Sequence, residues 1–221
     1  MIELVIFDWD GTLMDSTARI VDCMQRAFRE LGHAVPPAEA VRELIGLELN
    51  RTVAILAVGA SAAQVTAVAA RYRQAYASAD GVPSHLFGDV LPTLVALRRA
   101  GCRLAVATGK SRRGLHRAFD ATGVRHLFDA SRCGEECAAK PAPQMVESIL
   151  AELDVAASAA LVVGDTEYDL AMAQAAGVAA AAVSYGAHSR ERLLAMRPRF
   201  IIDAMDELPR HILARDHPVN P

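Results

Sequence analysis

The sequence contains no apolar run of the about 18 residues that a transmembrane helix needs, so no membrane span is expected. Its first residues lack a basic segment and turn acidic early, which argues against a secretory signal. It also lacks the positive charge usual in nucleic-acid-binding proteins, since its net charge is −3 and its pI is near 6.2. We therefore expect a cytoplasmic protein that binds neither a membrane nor nucleic acid.

Cysteine and aromatic residues are also scarce. Of the four cysteines, only Cys133 and Cys137 are close together in the sequence, and no second pair follows at the spacing of a zinc site. We expect reduced cysteines in place of a disulfide scaffold or a zinc site. Aromatic residues make up 5% of the chain and Trp9 is the single tryptophan, so an aromatic cage for a cationic ligand is not expected.

Lysine is nearly absent. Only Lys110 and Lys140 among the 23 basic residues are lysine, and the others are arginine. A lysine presents a compact point charge that the planar guanidinium group does not always replace. Lys140 stands just before a predicted helix and is a candidate cation of a functional site. We interpret Lys110 as a solvated residue at the start of a helix.

The sequence does contain short apolar runs that end in Gly, Asp or Thr. Runs without alternation are typical of strands buried on both faces of a parallel sheet. Helical patterns lie between them, such as the segment that Ser111 can cap and Gly123 can end. This alternation predicts an α/β fold with a doubly wound, mostly parallel sheet. The runs are residues 4–7, 104–107, 160–163, 178–183 and 200–202.

One region departs from this alternation. Residues 8–103 separate the first strand from the next clear one, which is far more than a crossover helix requires. Within this region, residues 16–82 show helical periodicity only. We predict a small all-helical cap domain over residues 16–82, inserted after the first strand, and an α/β core domain made of residues 1–15 and 83–221. Two chain crossings, near 14–16 and 80–84, would allow hinge motion.

Carboxylates follow two of the predicted strands. Asp8 and Asp10 follow the first strand, and Asp165 and Asp169 follow the strand at residues 160–163. Because ligands of open α/β sheets bind beyond the carboxyl ends of the strands, we expect these side chains to share one site. Carboxylates so close together repel each other unless one is protonated or a cation is near. Hard oxygen ligands of this kind suit magnesium.

A third strand is followed by a candidate anion-binding site, which we call the phosphate seat. Thr108, Gly109 and Lys110 follow the run at residues 104–107 and lead into a helix. A hydroxyl, a glycine and backbone amides at a helix start can bind a phosphate-sized anion. The sequence therefore places carboxylates and a candidate phosphate seat at three strand ends.

The motifs DWDGT, TGK, KP and GDTEYD, in this order, resemble the haloacid dehalogenase superfamily, and the resemblance covers nearly the whole chain. The stretches FDWDGTLMDS, ELIGLEL and KPAP are most similar to its phosphoglycolate-phosphatase-like members. Trp9 stands where leucine is commoner, and we expect little effect from it. The resemblance implies a Rossmann-like core with a helical cap, and a phosphatase that hydrolyses a small, phosphoglycolate-like phosphate monoester.

The resemblance also implies the roles of individual residues. Asp8 would be the nucleophile that becomes an aspartyl phosphate, and Asp10 would act first as general acid and then as general base. Thr108 and Gly109 would bind phosphoryl oxygens, while Lys140 would neutralise charge on the nucleophile and the phosphate. The implied Mg²⁺ ligands are Asp8, the backbone carbonyl of Asp10, Asp165 and, through a bound water or by orienting Lys140, Asp169.

Two alternatives stay open at this point. A phosphomutase of the same fold shares every core motif. A signalling receiver domain also holds a phospho-aspartate without turnover, although such domains are shorter and have no helical insert. In each enzymatic reading the partner is a small phosphorylated metabolite, and the expected oligomeric state is a monomer or a homodimer.

Overall fold

The computed structural model describes residues 2–78 and 82–213, so the predictions made for residues 79–81 and for the C-terminal residues lie outside it. The strands are β1 (Leu4–Phe7), β2 (Met14–Asp15), β3 (His85–Leu86), β4 (Arg103–Thr108), β5 (Ala130–Cys133), β6 (Ala160–Gly164), β7 (Ala179–Val183) and β8 (Phe200–Ile202). The helices are α1 (Thr17–Glu30), α2 (Ala38–Arg42), α3 (Leu49–Leu56), α4 (Ala62–Ala77), α5 (Val90–Arg99), α6 (Arg112–Thr122), α7 (Gln144–Leu153), α8 (Glu167–Ala175), α9 (Arg190–Ala195) and α10 (Leu208–Leu213).

Six strands form one parallel sheet in the order β5-β4-β1-β6-β7-β8. The predicted α/β fold with a doubly wound, mostly parallel sheet is therefore confirmed. Strand β1 lies between β4 and β6, and Phe7 at its end is paired with Val106 on one side and Val163 on the other. As a result, the polar residues that follow these three strands meet at one edge of the sheet.

Helices cover both faces of the sheet, as the continuous apolar runs predict. Val5 and Phe7 pack in a cluster with side chains of α5, α6 and α10. Leu4 and Ile6 point to the other face and pack with side chains of α7, α8 and α9. Trp9 extends the first cluster and meets Phe119 edge-on, with ring centroids 5.2 Å apart.

Two parts of the sheet structure were not predicted. Strand β5 is an edge strand whose middle residues, Ser131 and Arg132, are polar and only partly buried, so its sequence has no apolar run. Strands β2 and β3 form a short antiparallel pair in which Met14 faces Leu86. This pair joins the two points at which the chain leaves and re-enters the α/β core.

The described residues between 16 and 82 form helices α1 to α4, in agreement with the helical periodicity of this segment. These helices have a hydrophobic cluster of their own, in which Met24 and Phe28 of α1 pack with Val53 and Val68. The second chain crossing lies partly outside the described residues. The division of the chain into a core and a cap domain stays a prediction.

The expectations about membrane-spanning helices and about cysteines can be compared with the described residues. None of the helices in these parts of the chain is long and apolar enough to cross a membrane. All four cysteines are free thiols, and Cys133 is buried while Cys137 is partly exposed. Burial raises the pKa of the Cys133 thiol to about 12, which leaves it uncharged and unreactive at neutral pH.

Two neighbouring leucines of α9, one buried and one exposed, allow a test of the packing of α7, α8 and α9 on one face of the sheet. Leu193 is fully buried in the cluster with α7 and α8, whereas Leu194 is 54% exposed. We expect Leu193→Ala to lower the free energy of unfolding by about 2–5 kcal/mol, since it leaves a cavity. Leu194→Ala is expected to change it by no more than about 0.5 kcal/mol. Urea denaturation followed by circular dichroism measures both, and equal losses would contradict this packing.

Candidate active site

Three aspartates meet beyond the carboxyl ends of β1 and β6. Asp8 follows β1, Asp165 follows β6, and Asp169 lies in the first turn of α8. All three are buried, and one oxygen of each lies within 4.8 Å of the others. The structure therefore brings together three of the carboxylates that the sequence placed in one site.

Lys140 lies between two of these carboxylates. Its Nζ donates to Asp8 Oδ1 at 2.5 Å and to Asp169 Oδ1 at 2.6 Å, and its side chain is fully buried. Burial alone would lower the pKa of the ammonium group, but attraction to Asp169 and Asp8 outweighs it and raises that pKa. Lys140 is thus a fixed positive charge at the centre of the cluster.

Asp165 is held from two sides by groups that the sequence analysis did not single out. The Thr12 hydroxyl donates to Oδ1 at 2.8 Å, and the Ala187 N–H donates to Oδ2 at 2.7 Å. The backbone also packs tightly here, because a Cβ atom on Gly186 would lie 2.2 Å from the Cβ of Asp165. Thr12 stands in the DWDGT motif, but Gly186 and Ala187 carry no sequence signal of a site.

Asp169 contacts Lys140 and also closes the cap of a helix. Its Oδ2 accepts from the backbone N–H and the hydroxyl of Thr166, at 3.1 and 2.6 Å, and so closes a capping box at the start of α8. Its Oδ1 accepts from Lys140. The cap fixes the rotamer of Asp169, and the fixed rotamer orients Lys140 toward Asp8.

The three carboxylates carry more negative charge than Lys140 can offset. Burial raises the pKa of Asp8 to about 7, and burial with the charges of Asp8 and Asp169 raises that of Asp165 well above its usual range. Asp8 Oδ2 is buried and has no hydrogen-bond partner among the described residues. A buried oxygen without a donor, next to two other carboxylates, fits a divalent cation with oxygen ligands. The Asp10 side chain is not in this group of three but lines the same cleft as Asp8, and a role for its backbone carbonyl stays a prediction.

The side chain of Asp10 is held by Ser16 and by Lys110, of which Lys110 was predicted to be solvated. Ser16 occupies the N-cap position of α1, but its hydroxyl makes no capping bond and donates to Asp10 Oδ1 at 2.6 Å. Lys110 is not solvated: its side chain is 11% exposed, and Nζ lies 2.9 Å from Asp10 Oδ1 and 4.6 Å from the ring centroid of Tyr76. Burial lowers the pKa of Lys110, but Asp10 and Tyr76 outweigh this and raise it. The rarity of lysine in the sequence was the signal that could have identified Lys110 as a site residue.

The candidate phosphate seat lies at the end of β4. Thr108 is the last residue of this strand and is buried, and its Oγ1 accepts the N–H of Lys110 at 3.2 Å. Gly109 packs against the helical segment, because a Cβ atom on it would lie 2.8 Å from the carbonyl oxygen of Gly46. Both residues line the same cleft as Asp8. The structure thus brings the two predicted phosphate-binding residues to the carboxylate cluster.

The loop between α2 and α3 is anchored beside the site. The carbonyl of Glu43 accepts from the Tyr168 hydroxyl at 3.0 Å and from His188 Nε2 at 3.2 Å. His188 Nδ1 accepts the Glu167 N–H at 3.2 Å, so the ring is a neutral tautomer with its proton on Nε2. Arg192 bridges the carboxylates of Glu43 and Glu167. These contacts hold the helical segment over the carboxyl end of the sheet.

Comparison with known proteins agrees with this architecture. The family model described as haloacid dehalogenase-like hydrolase matches residues 5–183. A relative from Dickeya dadantii named "Probable phosphatase IndB" is 34% identical over 94% of this chain and 92% of its own length. A plasmid-encoded protein of Cupriavidus necator named phosphoglycolate phosphatase is 32% identical over 93% of this chain and 90% of its own length. A crystal structure of a haloacid dehalogenase-like hydrolase from Bacteroides fragilis superposes with a TM-score of 0.86 at 26% identity, over 94% of this chain and 100% of that one.

The close packing around Asp165 generates a prediction. We expect Gly186→Ala to displace the Asp165 carboxylate and to weaken Mg²⁺ binding at least about tenfold, as loss of a supporting contact does at other metal sites. Gly88→Ala is the control, because a Cβ atom there meets nothing within 4 Å. Isothermal titration calorimetry with Mg²⁺ compares the two variants with the unmodified protein. Unchanged affinity in Gly186→Ala would show that Asp165 is not a ligand.

Proposed function

This chain belongs to the haloacid dehalogenase-like hydrolase family, and we propose that it is a magnesium-dependent phosphatase that hydrolyses a small phosphate monoester through an aspartyl phosphate. One observation carries the proposal. Asp8 is a buried carboxylate whose one oxygen is bound by Lys140 and whose other oxygen has no protein partner among the described residues. Such a group is fixed in position and available both to a cation and to an electrophilic phosphorus.

The proposed reaction gives Asp8 and Asp10 separate roles. An Asp8 oxygen attacks phosphorus and the bond from phosphorus to the ester oxygen breaks, while Asp10 gives its proton to the departing alcohol. Asp10 then takes a proton from water, which attacks the aspartyl phosphate and releases inorganic phosphate and Asp8. Ser16 and Lys110 hold Asp10 in place for both steps, through their contacts to its Oδ1.

Charge stabilisation is the second part of the proposal. Thr108 and Gly109 bind phosphoryl oxygens at the end of β4, and Lys140 offsets the charge that passes between Asp8 and the phosphoryl group. The Mg²⁺ ligands are Asp8, the backbone carbonyl of Asp10, Asp165 and, through a water or by orienting Lys140, Asp169. When bound, the ion supplies positive charge that offsets the carboxylates and the phosphate.

We propose that residues 16–82 act as a cap domain over this chemistry. The contact between Lys110 and Tyr76, and the bond from Tyr168 to Glu43, join the helical segment to residues beside the site. The β2–β3 pair lies where the chain enters and leaves the segment, and we expect the hinge there. A closed cap would exclude water while the aspartyl phosphate forms.

The names of the relatives support a phosphatase reaction more strongly than they support one particular substrate. The Cupriavidus necator relative is named phosphoglycolate phosphatase, which makes phosphoglycolate the reference substrate for this chain. Family membership removes support from a receiver-like module without turnover. A phosphomutase remains distinguishable by its product, since it returns the phosphoryl group to an organic molecule and releases little inorganic phosphate.

The first prediction concerns the metal. Removal of divalent cations with a chelator is expected to abolish hydrolysis, because clustered carboxylates without a cation repel a phosphate dianion. Added Mg²⁺ is expected to restore it, as measured by release of inorganic phosphate. Full activity after exhaustive chelation would refute the role of the metal.

The second prediction separates the two leading acids. Asp8→Asn is expected to abolish turnover and any labelled aspartyl phosphate. Asp10→Asn keeps the nucleophile but removes the proton donor and base, so turnover should fall on the order of 10²–10⁴-fold. For an aryl phosphate, whose leaving group needs little protonation, the intermediate should accumulate in this variant. Rapid quench with ³²P-labelled substrate measures the intermediate in both variants, and label on Asp10 in the Asp8→Asn variant would reverse the assignment.

A further inference from the structure

The cleft at the candidate active site has two unlike walls. One wall carries Asp8, Asp10, Thr108 and Gly109. The cleft has a volume of about 120 Å³, roughly ten times what a single water molecule requires. The facing wall belongs to the helical segment and is mainly apolar. Its lining side chains include Ile20, Met24, Ile45, Leu47, Tyr72 and Tyr76.

Leu47 lines this wall but lies outside the hydrophobic cluster of the helical segment. This residue is 7% exposed, yet it belongs to none of the three hydrophobic clusters that the described residues form. Its backbone lies against the phosphate seat, since a Cβ atom on Gly109 would come within 2.9 Å of the Leu47 carbonyl oxygen. Leu47 therefore lines the cleft close to where a phosphoryl group would bind.

The cations at the cleft offer little to a second negative group on the substrate. Among the described lining residues, Lys110 is already paired with Asp10 at 2.9 Å. Arg73 and Arg117 also border the cleft, but both are exposed to solvent. A carboxylate that enters beside Leu47 would lose its hydration without gaining a buried cationic partner, which is costly.

We infer that this cleft selects phosphate monoesters whose alcohol carries an uncharged, apolar group, and that Leu47 contacts this group. The inference rests on the proposed phosphatase activity and narrows its substrate class. Each methylene group buried against the apolar wall is expected to raise kcat/KM about fourfold. Phosphoglycolate, with a carboxylate beside the ester, is accordingly expected to be a weaker substrate than an alkyl phosphate of similar size.

The test uses substrates with similar leaving groups, so that differences in kcat/KM report binding to the cleft. Ethyl, propyl and butyl phosphate form the apolar series, and 3-carboxypropyl phosphate replaces the terminal methyl of butyl phosphate by a carboxylate. Release of inorganic phosphate is expected to rise about fourfold per methylene, and the carboxylate analogue to fall at least tenfold below butyl phosphate. A flat series, or a preference for 3-carboxypropyl phosphate or phosphoglycolate, would overturn the inference.

Two variants assign the preference to Leu47. Leu47→Asn is expected to reduce the gain to less than about twofold per methylene, and Leu47→Ala to reduce it in part, which provides a second reading if the first variant folds poorly. Leu31→Asn is the matched control, because Leu31 is 41% exposed and does not line the cleft. An unchanged gain in both Leu47 variants would overturn the assignment.

A final control separates this inference from the proposed function. The unmodified protein with Mg²⁺ is assayed with 4-nitrophenyl phosphate, which needs no help from a selective cleft. Hydrolysis of this ester together with a preference for carboxylated phosphates would overturn the substrate class alone. Absence of hydrolysis of every phosphate would overturn the proposed phosphatase activity, and the substrate class with it.

Discussion

The burial of three carboxylates within 4.8 Å of one another is the constraint on which the rest of the site depends. Like charges out of water are unfavourable, and the structure offsets them only in part with the buried ammonium group of Lys140. Burial, together with the charges of neighbouring carboxylates, raises the pKa values of Asp8 and Asp165, so a charge imbalance remains at the site. A bound divalent cation would remove it, so the same repulsion that costs stability prepares the site for metal and phosphate.

The parallel sheet makes this burial possible. Strand β1 lies between β4 and β6, so three strand ends open onto one point and each delivers a different chemical group. Small residues let the groups approach, as at Gly164, where a Cβ atom would lie 2.3 Å from the Cβ of Asp169. Apolar side chains on both faces keep the strands rigid, which fixes the carboxylates against their own repulsion.

The helical segment contributes to the site as well as covering it. Tyr76 of α4 contacts Lys110, which in turn pairs with Asp10, so the candidate acid–base residue is linked to the segment through one side chain. Leu47 touches the backbone of the phosphate seat and lines the cleft beside it. The residues proposed for substrate selection and for proton transfer therefore line the same cleft, at the boundary between sheet and helices.

Local order along the chain was enough to predict the parallel sheet, the strands that build its centre, and Asp8, Asp165, Asp169 and Lys140 as neighbours. Each of these follows from a residue's position directly after an apolar run or before a helix. Strand β5 escaped prediction because an edge strand needs no apolar run. Only the tertiary structure decided the parts of Ser16, Lys110 and Leu47, since their partners lie on other elements. A serine before a helix predicts a cap and a lysine after a turn predicts solvation, until folding brings Asp10 and Tyr76 against them and makes different contacts more favourable.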